Sequence, residues 1–440
     1  MSQQVFNLTR FSYIIHGMKR TAHSCRRALI SLMTGLAVML ITPRMGLGQS
    51  GLNPAMGLRV DPGFPIWLGP DPVDYLPLVA DQTSGLDWVG SDTTPSGDLR
   101  QWLLLADDID TGGIHLVNVE STASGPKIAF HSELTLPPPE ILGLPIAQEH
   151  GYDWEAISLH PWSGTVFIAQ EGSRDEIGIY LGLVSPGDGD LADGAFGRTG
   201  SLKALPGHIS NLKRLEFPGW DEAFGQYLSD NRGIEGIACT SERLFVGLES
   251  PYEFTQRLLG EKSTILAIWK IDPENPANME NCELLEVHDT SEWASSLGYT
   301  VETICGLDAI DDTHLVGIDR DNQRLFAVQF TESGLFTGGR LFYLDTPGPA
   351  PLPEDDCPPL DHPPVFIKPS LESVAVVPLN PPTDSSQPVS YHIYLAVDPW
   401  GPGWTLADTD WDCPAYEKRL SSLLPALYRY TVDFATLFPG

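Results

Sequence analysis

A short pattern occurs five times along this chain, and it restricts the fold more than any other feature of the sequence. Each copy begins with one variable position, here called the slot residue, which is followed by a small and then an aliphatic residue. After a turn comes an apolar run that ends in an acid. The slot residues are Ser84, Glu155, Glu235, Cys305 and Glu372, and the terminal acids are Asp108, Glu171, Glu249, Asp319 and Asp398. The acids are separated by 63, 78, 70 and 79 residues, which indicates a chain built from repeated units.

The repeated unit has the composition of β-structure. Its apolar runs, such as residues 166–169 and 244–247, are short and β-prone, as is typical of buried strands. Further strand-like segments follow each acid, so that one unit holds four antiparallel strands. We therefore predict an all-β fold, a β-propeller of five to six four-stranded blades. Residues 84–440 form the propeller domain in this prediction, and residues 49–83 form an N-terminal extension that helps to close the ring.

The amino terminus has the features of an export signal. Residues 1–48 contain six basic residues and no acid, and a charge-free apolar stretch spans residues 28–41 before the small-residue pattern at 46–48. This order predicts a secretory signal peptide over residues 1–48. The apolar stretch is short for a membrane span, and no later run approaches that length, so we expect a secreted or periplasmic protein with no membrane span after signal removal.

The charge balance restricts the partners. The full chain has 26 basic and 58 acidic residues, and removal of residues 1–48 leaves 20 basic residues against the same 58 acids. Nucleic-acid binding needs a basic face, so DNA and RNA are excluded as partners. We expect a monomer that acts on a small molecule. Export also favours disulfides, and Cys357 and Cys413, which lie in similar Asp- and Pro-rich segments, are the preferred pair.

The spacing of the acids predicts a cation site. If each slot residue faces its terminal acid across a hairpin, the open ends of the hairpins carry three carboxylate pairs near one end of the ring. Carboxylates that approach one another need a cation or a raised pKa, and hard oxygen ligands favour Ca²⁺ or another divalent cation. Alternatively, the acids accept hydrogen bonds from the next blade or pair with arginines. The predicted metal ligands are Glu155, Glu171, Glu235, Glu249, Glu372 and Asp398.

Arginines near the repeat positions have two interpretations. Arg174, Arg232 and Arg320 lie within three residues of a repeat position. Beside a metal they predict a site for a phosphate or carboxylate group, which arginine binds through two parallel hydrogen bonds. The alternative is ion pairing between blades.

Residues 231–237 (Asn-Arg-Gly-Ile-Glu-Gly-Ile), followed by residues 244–249, resemble the most characteristic motif of the phytase-like family, exported bacterial proteins described as having esterase-like activity of phytase. Residues 154–157, 315–320 and 371–374 resemble its other repeats. The resemblance implies a propeller and ester hydrolysis. Cys305 and Ser84 stand where a glutamate would complete a ring of acids, which implies an asymmetric metal site.

Our leading hypothesis is a metal-dependent hydrolase of phosphoric esters, in which Glu155, Glu235 and Glu372 are catalytic and hold the cation. Arg232, Arg320, Asn231 and Arg174 would bind the substrate. The acidity of the chain opposes a polyphosphate substrate. A lactonase or carboxylesterase on a similar propeller is the alternative enzyme, and a non-catalytic propeller that binds a ligand or partner at the same place is the alternative outside enzymes.

Overall fold

The predicted propeller is confirmed, with five blades, in a computed structural model of the chain. The structure describes residues 56–68, 83–107, 113–138, 153–171, 176–186, 205–228, 232–250, 262–346, 370–379, 390–398 and 426–438. The predicted signal peptide, Asn231, Arg174 and the cysteine pair Cys357 and Cys413 lie outside these residues. No helix among the described residues is long and apolar enough to cross a membrane.

Each blade contains antiparallel strands that follow one another along the chain. Blade 1 consists of β3 (Thr83–Thr93), β4 (Leu99–Asp107), β5 (Ile114–Thr122) and β6 (Gly125–Glu133). Blade 2 consists of β7 (Trp154–Leu159), β8 (Thr165–Gln170), β9 (Gly178–Pro186) and β10 (Pro206–Arg214). Blade 3 consists of β11 (Ile234–Cys239), β12 (Arg243–Leu248), β13 (Ile265–Lys270) and β14 (Glu283–Asp289). Blade 4 consists of β15 (Gly306–Asp311), β16 (His314–Asp319), β17 (Arg324–Phe330) and β18 (Phe336–Leu344). Blade 5 contains β19 (Ser370–Pro378), β20 (Ser390–Asp398) and β21 (Ala426–Asp433).

Two strands that precede blade 1 complete the last two blades. The strand β2 (Ile66–Trp67) pairs antiparallel with β21 and supplies the fourth strand of blade 5. The strand β1 (Met56–Leu58) adds a parallel fifth strand to β18 of blade 4. Asp61, between them, forms an ion pair with Arg429 of β21 at 2.7 Å. The segment 56–68 therefore pairs with β18 of blade 4 and with β21 of blade 5.

Helices are short and lie between strands or at the end of the described chain. They are α1 (Trp220–Ala223), α2 (Ala294–Leu297), α3 (Phe434–Leu437) and the 3₁₀ helices η1 (Met279–Asn281) and η2 (Thr290–Trp293).

Burial decreases from the first strand of a blade to the last. All six residues of β7 and β8 are buried, whereas β6 at the outer edge of blade 1 is mostly exposed or half-buried. This explains why the inner strands read as continuous apolar runs, since both of their faces pack against neighbouring blades. The first strands of successive blades contact one another in the closed order β3, β7, β11, β15, β19 and back to β3. Four slot residues therefore lie on the strands nearest the propeller axis, and the fifth, Cys305, directly precedes β15.

The small residue after each slot residue permits this close approach. A Cβ on Gly85 would lie 3.0 Å from the backbone nitrogen of Ile157, and one on Gly306 would lie 2.8 Å from Cα of Ser373. Both contacts join the inner strands of neighbouring blades. The repeated small residue is therefore a packing requirement of the ring.

Five hydrophobic clusters hold the blades together, one at each interface between neighbouring blades. A repeated hydrogen bond also joins neighbouring blades, and its acceptor side chain lies three residues after the slot residue. Leu159 N donates to Asp87 Oδ2 at 2.5 Å, and Val376 N donates to Asp308 Oδ2 at 2.6 Å. The side chain of Ser158 accepts in the same way from Cys239 N at 2.9 Å. These bonds satisfy backbone groups that the close contact of the inner strands removes from water.

Candidate functional site

The slot residues lie at one end of the ring, here called the mouth, where they interrupt the ladder of the first hairpin. The register shifts by one residue at Ser84, Glu155, Glu235 and Glu372, so that each is the extra residue of a β-bulge. A bulge re-aims a side chain and increases the local twist of the strand. The repeated pattern therefore places a bulged residue of four blades at the mouth, close to the propeller axis.

The bulge corrects the predicted register. We expected Glu155 to face Glu171, and Glu235 to face Glu249, across their hairpins. Instead Glu171 N donates to Asp153 O at 3.0 Å, and Glu249 N donates to Gly233 O at 3.1 Å. The expectation was wrong for two reasons. The ladder between the turn and the bulge pairs Ala156 with Ala169, one residue away from the register expected from the centre of the turn, and the bulge then adds one residue to the inner strand.

The structure nevertheless brings five of the six predicted ligand side chains together. Three sets have ligand atoms that all lie within 4.8 Å of one another: Asp153, Glu155 and Glu171; Glu171, Glu235 and Glu249; and Glu235, Cys305 and Glu372. Since Glu171 and Glu235 each belong to two sets, the three sets form one continuous cluster across blades 2 to 5. The sixth predicted ligand, Asp398, is the last residue of β20, where its backbone pairs with Ser370.

Arg320 crosses this cluster from blade 4. Its Nη1 donates to Glu372 Oε1 and Oε2 at 2.8 and 2.9 Å, and its Nη2 donates to Glu249 Oε1. Nη1 also lies 3.8 Å from Glu235 Oε2. The guanidinium predicted to bind substrate is thus engaged by carboxylates of blades 3 and 5, which corresponds to the alternative of ion pairing between blades.

Burial and mutual repulsion raise the pKa of several of these carboxyl groups. Burial raises the pKa of Glu171 to about 8, with a further contribution from the charge of Glu249. Burial also raises the pKa of Glu235 well above its ordinary value, and again Glu249 adds to the effect. Burial also raises the pKa of Asp153, to about 6. These groups have been removed from water without a full set of compensating positive charges.

Glu235 is the least satisfied of the acids. The residue is 7% exposed, and its Oε2 accepts no hydrogen bond from any described residue. Its neighbour Glu171, in contrast, accepts a short hydrogen bond of 2.5 Å from Gly233 N. A Cβ at position 233 would come within 3.2 Å of the Glu171 side chain, so glycine in this motif makes room for the bond between the blades.

The other predicted residues have separate environments. Arg232 is half-buried. Burial raises the pKa of Glu249 overall, and the charge of Arg232 acts against this shift. The carboxylate of Asp319 accepts hydrogen bonds from Thr303 Oγ1 at 3.1 Å and from Asn322 Nδ2 at 3.1 Å. Burial raises the pKa of Asp319 to about 6.

Asp153 was missed in the sequence. It precedes the slot residue by two positions, where blades 4 and 5 carry Thr303 and Ser370. The side chain of Ser370 donates to Glu372 Oε1. Recurrence of a polar residue at this position is the signal that could have identified Asp153.

Three described cysteines, Cys239, Cys282 and Cys305, are free and buried. Cys305 has no exposed surface, and burial raises the pKa of its thiol well above the ordinary value. It is the slot residue of blade 4, where its thiol replaces a carboxylate in the cluster.

A family model for phytase-like proteins, described as esterase-like activity of phytase, matches residues 78–348. A search of curated proteins finds no significant match. Among solved structures, the chain is similar to the periplasmic gluconolactonase of Pseudomonas aeruginosa, with 12% identity and a TM-score of 0.28 over 58% of this chain and 69% of that one.

Two further solved structures are similar at the same level. A putative 6-phosphogluconolactonase from Bacteroides uniformis has 11% identity and a TM-score of 0.27, over 57% of this chain and 52% of that one. Regucalcin, a calcium-binding protein from Agrobacterium tumefaciens, has 12% identity and a TM-score of 0.26, over 86% of this chain and 97% of that one. With TM-scores of this size, the fold is defined by the strand order and register described above.

Proposed function

This chain belongs to the phytase-like family, and from that premise we propose that it hydrolyses an ester at the mouth of its propeller, with a divalent cation held by the acidic cluster. The observation that carries the proposal is Glu235, a buried carboxyl group whose Oε2 accepts no hydrogen bond from any described residue. Leaving such a group without a partner is unfavourable by about 1–3 kcal/mol or more, so its retention needs a reason beyond packing. Binding of a cation supplies that reason.

The donors fit a hard divalent cation such as Ca²⁺. Glu155, Glu171, Glu235 and Glu249 supply carboxylate oxygens from two neighbouring blades, and the additional acid Asp153 completes one of the three sets. Oxygen donors of this kind are those that Ca²⁺ and Mg²⁺ prefer. When bound, a divalent cation polarises the ester and lowers the pKa of the attacking water. Arg320 donates to both oxygens of Glu372 and Ser370 donates to Oε1, so Oε2 is the oxygen of Glu372 that keeps a lone pair for a cation.

The protein's own groups have distinct tasks in this proposal. Glu171 accepts a hydrogen bond from Gly233 N through Oε1, which holds its carboxyl group in position beside the cation site. Arg320 holds Glu249 and Glu372 in position. Arg232 is half-buried beside the cluster and is the residue that we assign to an anionic group of the substrate. Asn231 and Arg174 keep their predicted roles in substrate binding as part of the proposal.

The substrate that suits this site carries little negative charge. Three carboxylates surround Arg320, so its positive charge is largely compensated before any ligand binds. A chain with 58 acidic and 26 basic residues also repels a polyanion. A phosphomonoester is therefore a better substrate than a polyphosphate. The same observation favours a second candidate, a lactone or carboxylic ester, which has no phosphate group to repel.

Export and a monomeric state complete the proposal. The basic, apolar and small-residue order of residues 1–48 supports a signal peptide, and hence a secreted or periplasmic enzyme. Size-exclusion chromatography with light scattering, performed on protein collected from the exported fraction, tests the cleavage and the monomer together.

The function is tested by assaying the purified protein with a generic phosphomonoester, a phenyl ester and a lactone, each with Ca²⁺ and with a chelator. We expect turnover of at least one substrate that depends on Ca²⁺. Glu235→Gln should lower kcat/KM by roughly 10²-fold or more, because a bound metal contributes several kcal/mol to the transition state. Glu274→Gln is the matched control, since Glu274 is exposed in the loop before η1.

Two outcomes contradict the proposal. Inactivity with all three substrates in both conditions would leave a propeller that binds a ligand without converting it. Full activity of Glu235→Gln would move the reaction away from this cluster.

A further inference from the structure

Cys305 makes one end of the cluster chemically different from the rest. Glu235, Cys305 and Glu372 are the slot residues of three consecutive blades, and their ligand atoms lie within 4.8 Å of one another. Their exposures are 7%, 0% and 4%, so the set is the most deeply buried part of the mouth. The neighbouring set of Asp153, Glu155 and Glu171 contains only oxygen donors.

One member of this set has an unsatisfied oxygen. Glu235 Oε2 accepts no hydrogen bond from any residue that the structure describes, and its nearest cationic contact is Arg320 Nη1 at 3.8 Å. A buried carboxylate oxygen in this state is destabilising unless a further ligand binds it. A cation bound between Glu235 and its neighbours would meet the requirement.

The carboxylates beside Arg320 can carry two more negative charges than its guanidinium compensates. Arg320 supplies one positive charge to Glu235, Glu249 and Glu372. When all three carboxylates are ionised, two negative charges remain. One divalent cation would compensate them, so Arg320 and a metal complement each other in this part of the cluster.

The donor types select among the divalent metals. Ca²⁺ and Mg²⁺ bind oxygen ligands, whereas thiolate sulfur is a preferred ligand of Zn²⁺ and related transition metals. A tetrahedral zinc ion with ordinary bond lengths holds its ligand atoms roughly 3.3–3.8 Å apart, so that atoms within 4.8 Å need only a small contraction. Three protein ligands also leave a fourth position open, which is the arrangement of catalytic rather than structural zinc sites.

We propose that Glu235, Cys305 and Glu372 bind a thiophilic divalent metal of the Zn²⁺ class. The proposal deepens the proposed function, on which it rests, by naming the class of metal at the Cys305 end of the cluster, while the oxygen-only set of Asp153, Glu155 and Glu171 is the one that suits Ca²⁺. It predicts a selectivity that the carboxylates alone would not produce.

Cobalt is the most direct probe. The full mature protein is freed of metal with a chelator and titrated with Co²⁺, which gives a thiolate-to-cobalt charge-transfer absorption only when sulfur is bound. We expect this absorption in the wild type, and we expect Zn²⁺ to abolish it by displacement. Cys305→Ser should remove the absorption and weaken Zn²⁺ binding by roughly tenfold or more, while Ca²⁺ binding stays the same, because a hydroxyl replaces only the soft donor.

Serine is a suitable substitution because blade 1 carries Ser84 at the same repeat position, with the same bulge as its neighbours. Cys282→Ser is the matched control, because Cys282 lies after η1 and outside the cluster, and it should retain the absorption. If Cys305→Ser fails to fold, Glu235→Gln provides a second measurement: it should weaken Co²⁺ binding but retain the thiolate absorption at saturation.

Absence of the absorption in the wild type, or its persistence in Cys305→Ser, would overturn the inference. Hydrolysis assays on the same preparations separate it from the proposed function. Hydrolysis without the thiolate absorption would overturn the metal assignment and support the hydrolase. Thiolate absorption without hydrolysis would support the metal site and overturn the hydrolase.

Discussion

Buried carboxylates occur in two regions of the same inner strands, and they differ in how fully they are paired. Three residues after the slot position, Asp87 Oδ1 and Oδ2 accept hydrogen bonds from Trp88 N and Leu159 N. Asp308 accepts one from Val376 N of the next blade. At the mouth, Glu235 Oε2 accepts none from the described residues. Similar burial therefore corresponds to an inter-blade bond in one region and to an unmet requirement for a ligand in the other.

The comparison gives a criterion that separates acids paired within the fold from candidate cation ligands. The exposure of Asp308 is 1% and that of Glu235 is 7%, so burial alone does not separate them. Hydrogen bonding does, since a carboxylate that accepts backbone N–H groups stabilises the fold. A carboxylate that repels its neighbours destabilises it until a cation binds. Mutations in the two regions should accordingly have opposite effects on stability.

The largest effect on stability is expected for Arg320→Met. Removing the guanidinium leaves Glu249 and Glu372 buried without their cation, and loss of one partner of a buried ion pair lowers the free energy of unfolding by about 3–5 kcal/mol. Urea unfolding at pH 8 measures it, and the loss should be smaller at pH 5, because burial raises the pKa of Glu249 and a proton then replaces part of the missing charge. Arg100→Met is the control, since Arg100 pairs with Asp92 at 2.6 Å in a partly exposed position and should change stability by about 0–1 kcal/mol. Equal losses in the two variants would contradict the assignment of Arg320 as the internal counter-ion.

A smaller effect should separate the two kinds of acid directly. Asp308→Ala leaves Val376 N–H without its inter-blade acceptor and should lower the free energy of unfolding by about 1–3 kcal/mol. Glu235→Gln should leave stability in metal-free buffer unchanged or raised, because it removes a buried charge that has no hydrogen bond at Oε2. Both are measured by urea unfolding at pH 8 in the presence of a chelator. If Glu235→Gln is as destabilising as Asp308→Ala, the distinction between the two regions fails.

A third prediction concerns the pH dependence of stability. Burial raises the pKa of Glu171 from its ordinary value of 4.5 to about 8, so the folded state retains a proton that the unfolded state loses. Its contribution is fully present below pH 4.5 and is lost as the pH rises through about 8, so the free energy of unfolding of the metal-free protein should fall across this window. Glu171→Gln, whose amide oxygen can still accept from Gly233 N, should make the fall shallower. An identical slope in the variant would show that Glu171 does not titrate in this way.

Much of the fold was readable from the sequence because the repeat encodes it. The small residues at Gly85 and Gly306 mark the contact between inner strands, and the apolar runs mark buried strands. The cluster was predicted in outline for the same reason, since equivalent positions of a ring converge on its axis.

What could not be predicted depends on details that a one-dimensional pattern lacks. The bulges at Glu155 and Glu235 shift the register by one residue without changing the spacing of the repeat. The ion pairs of Arg320 depend on how close blade 4 comes to blades 3 and 5, which is a property of the assembled ring.

The pairing of the first strands with the last blades has a consequence for biosynthesis. Asp61 and Arg429 meet across a sequence separation of 368 residues, and β2 pairs with β21 over a similar distance. Contacts of such high contact order form late, because the intervening chain has to be ordered first. Until β21 has been made, β2 has no partner strand and β20 is left as an edge of blade 5. A chain that ends before β21 therefore presents an open sheet edge, the kind of surface on which chains aggregate.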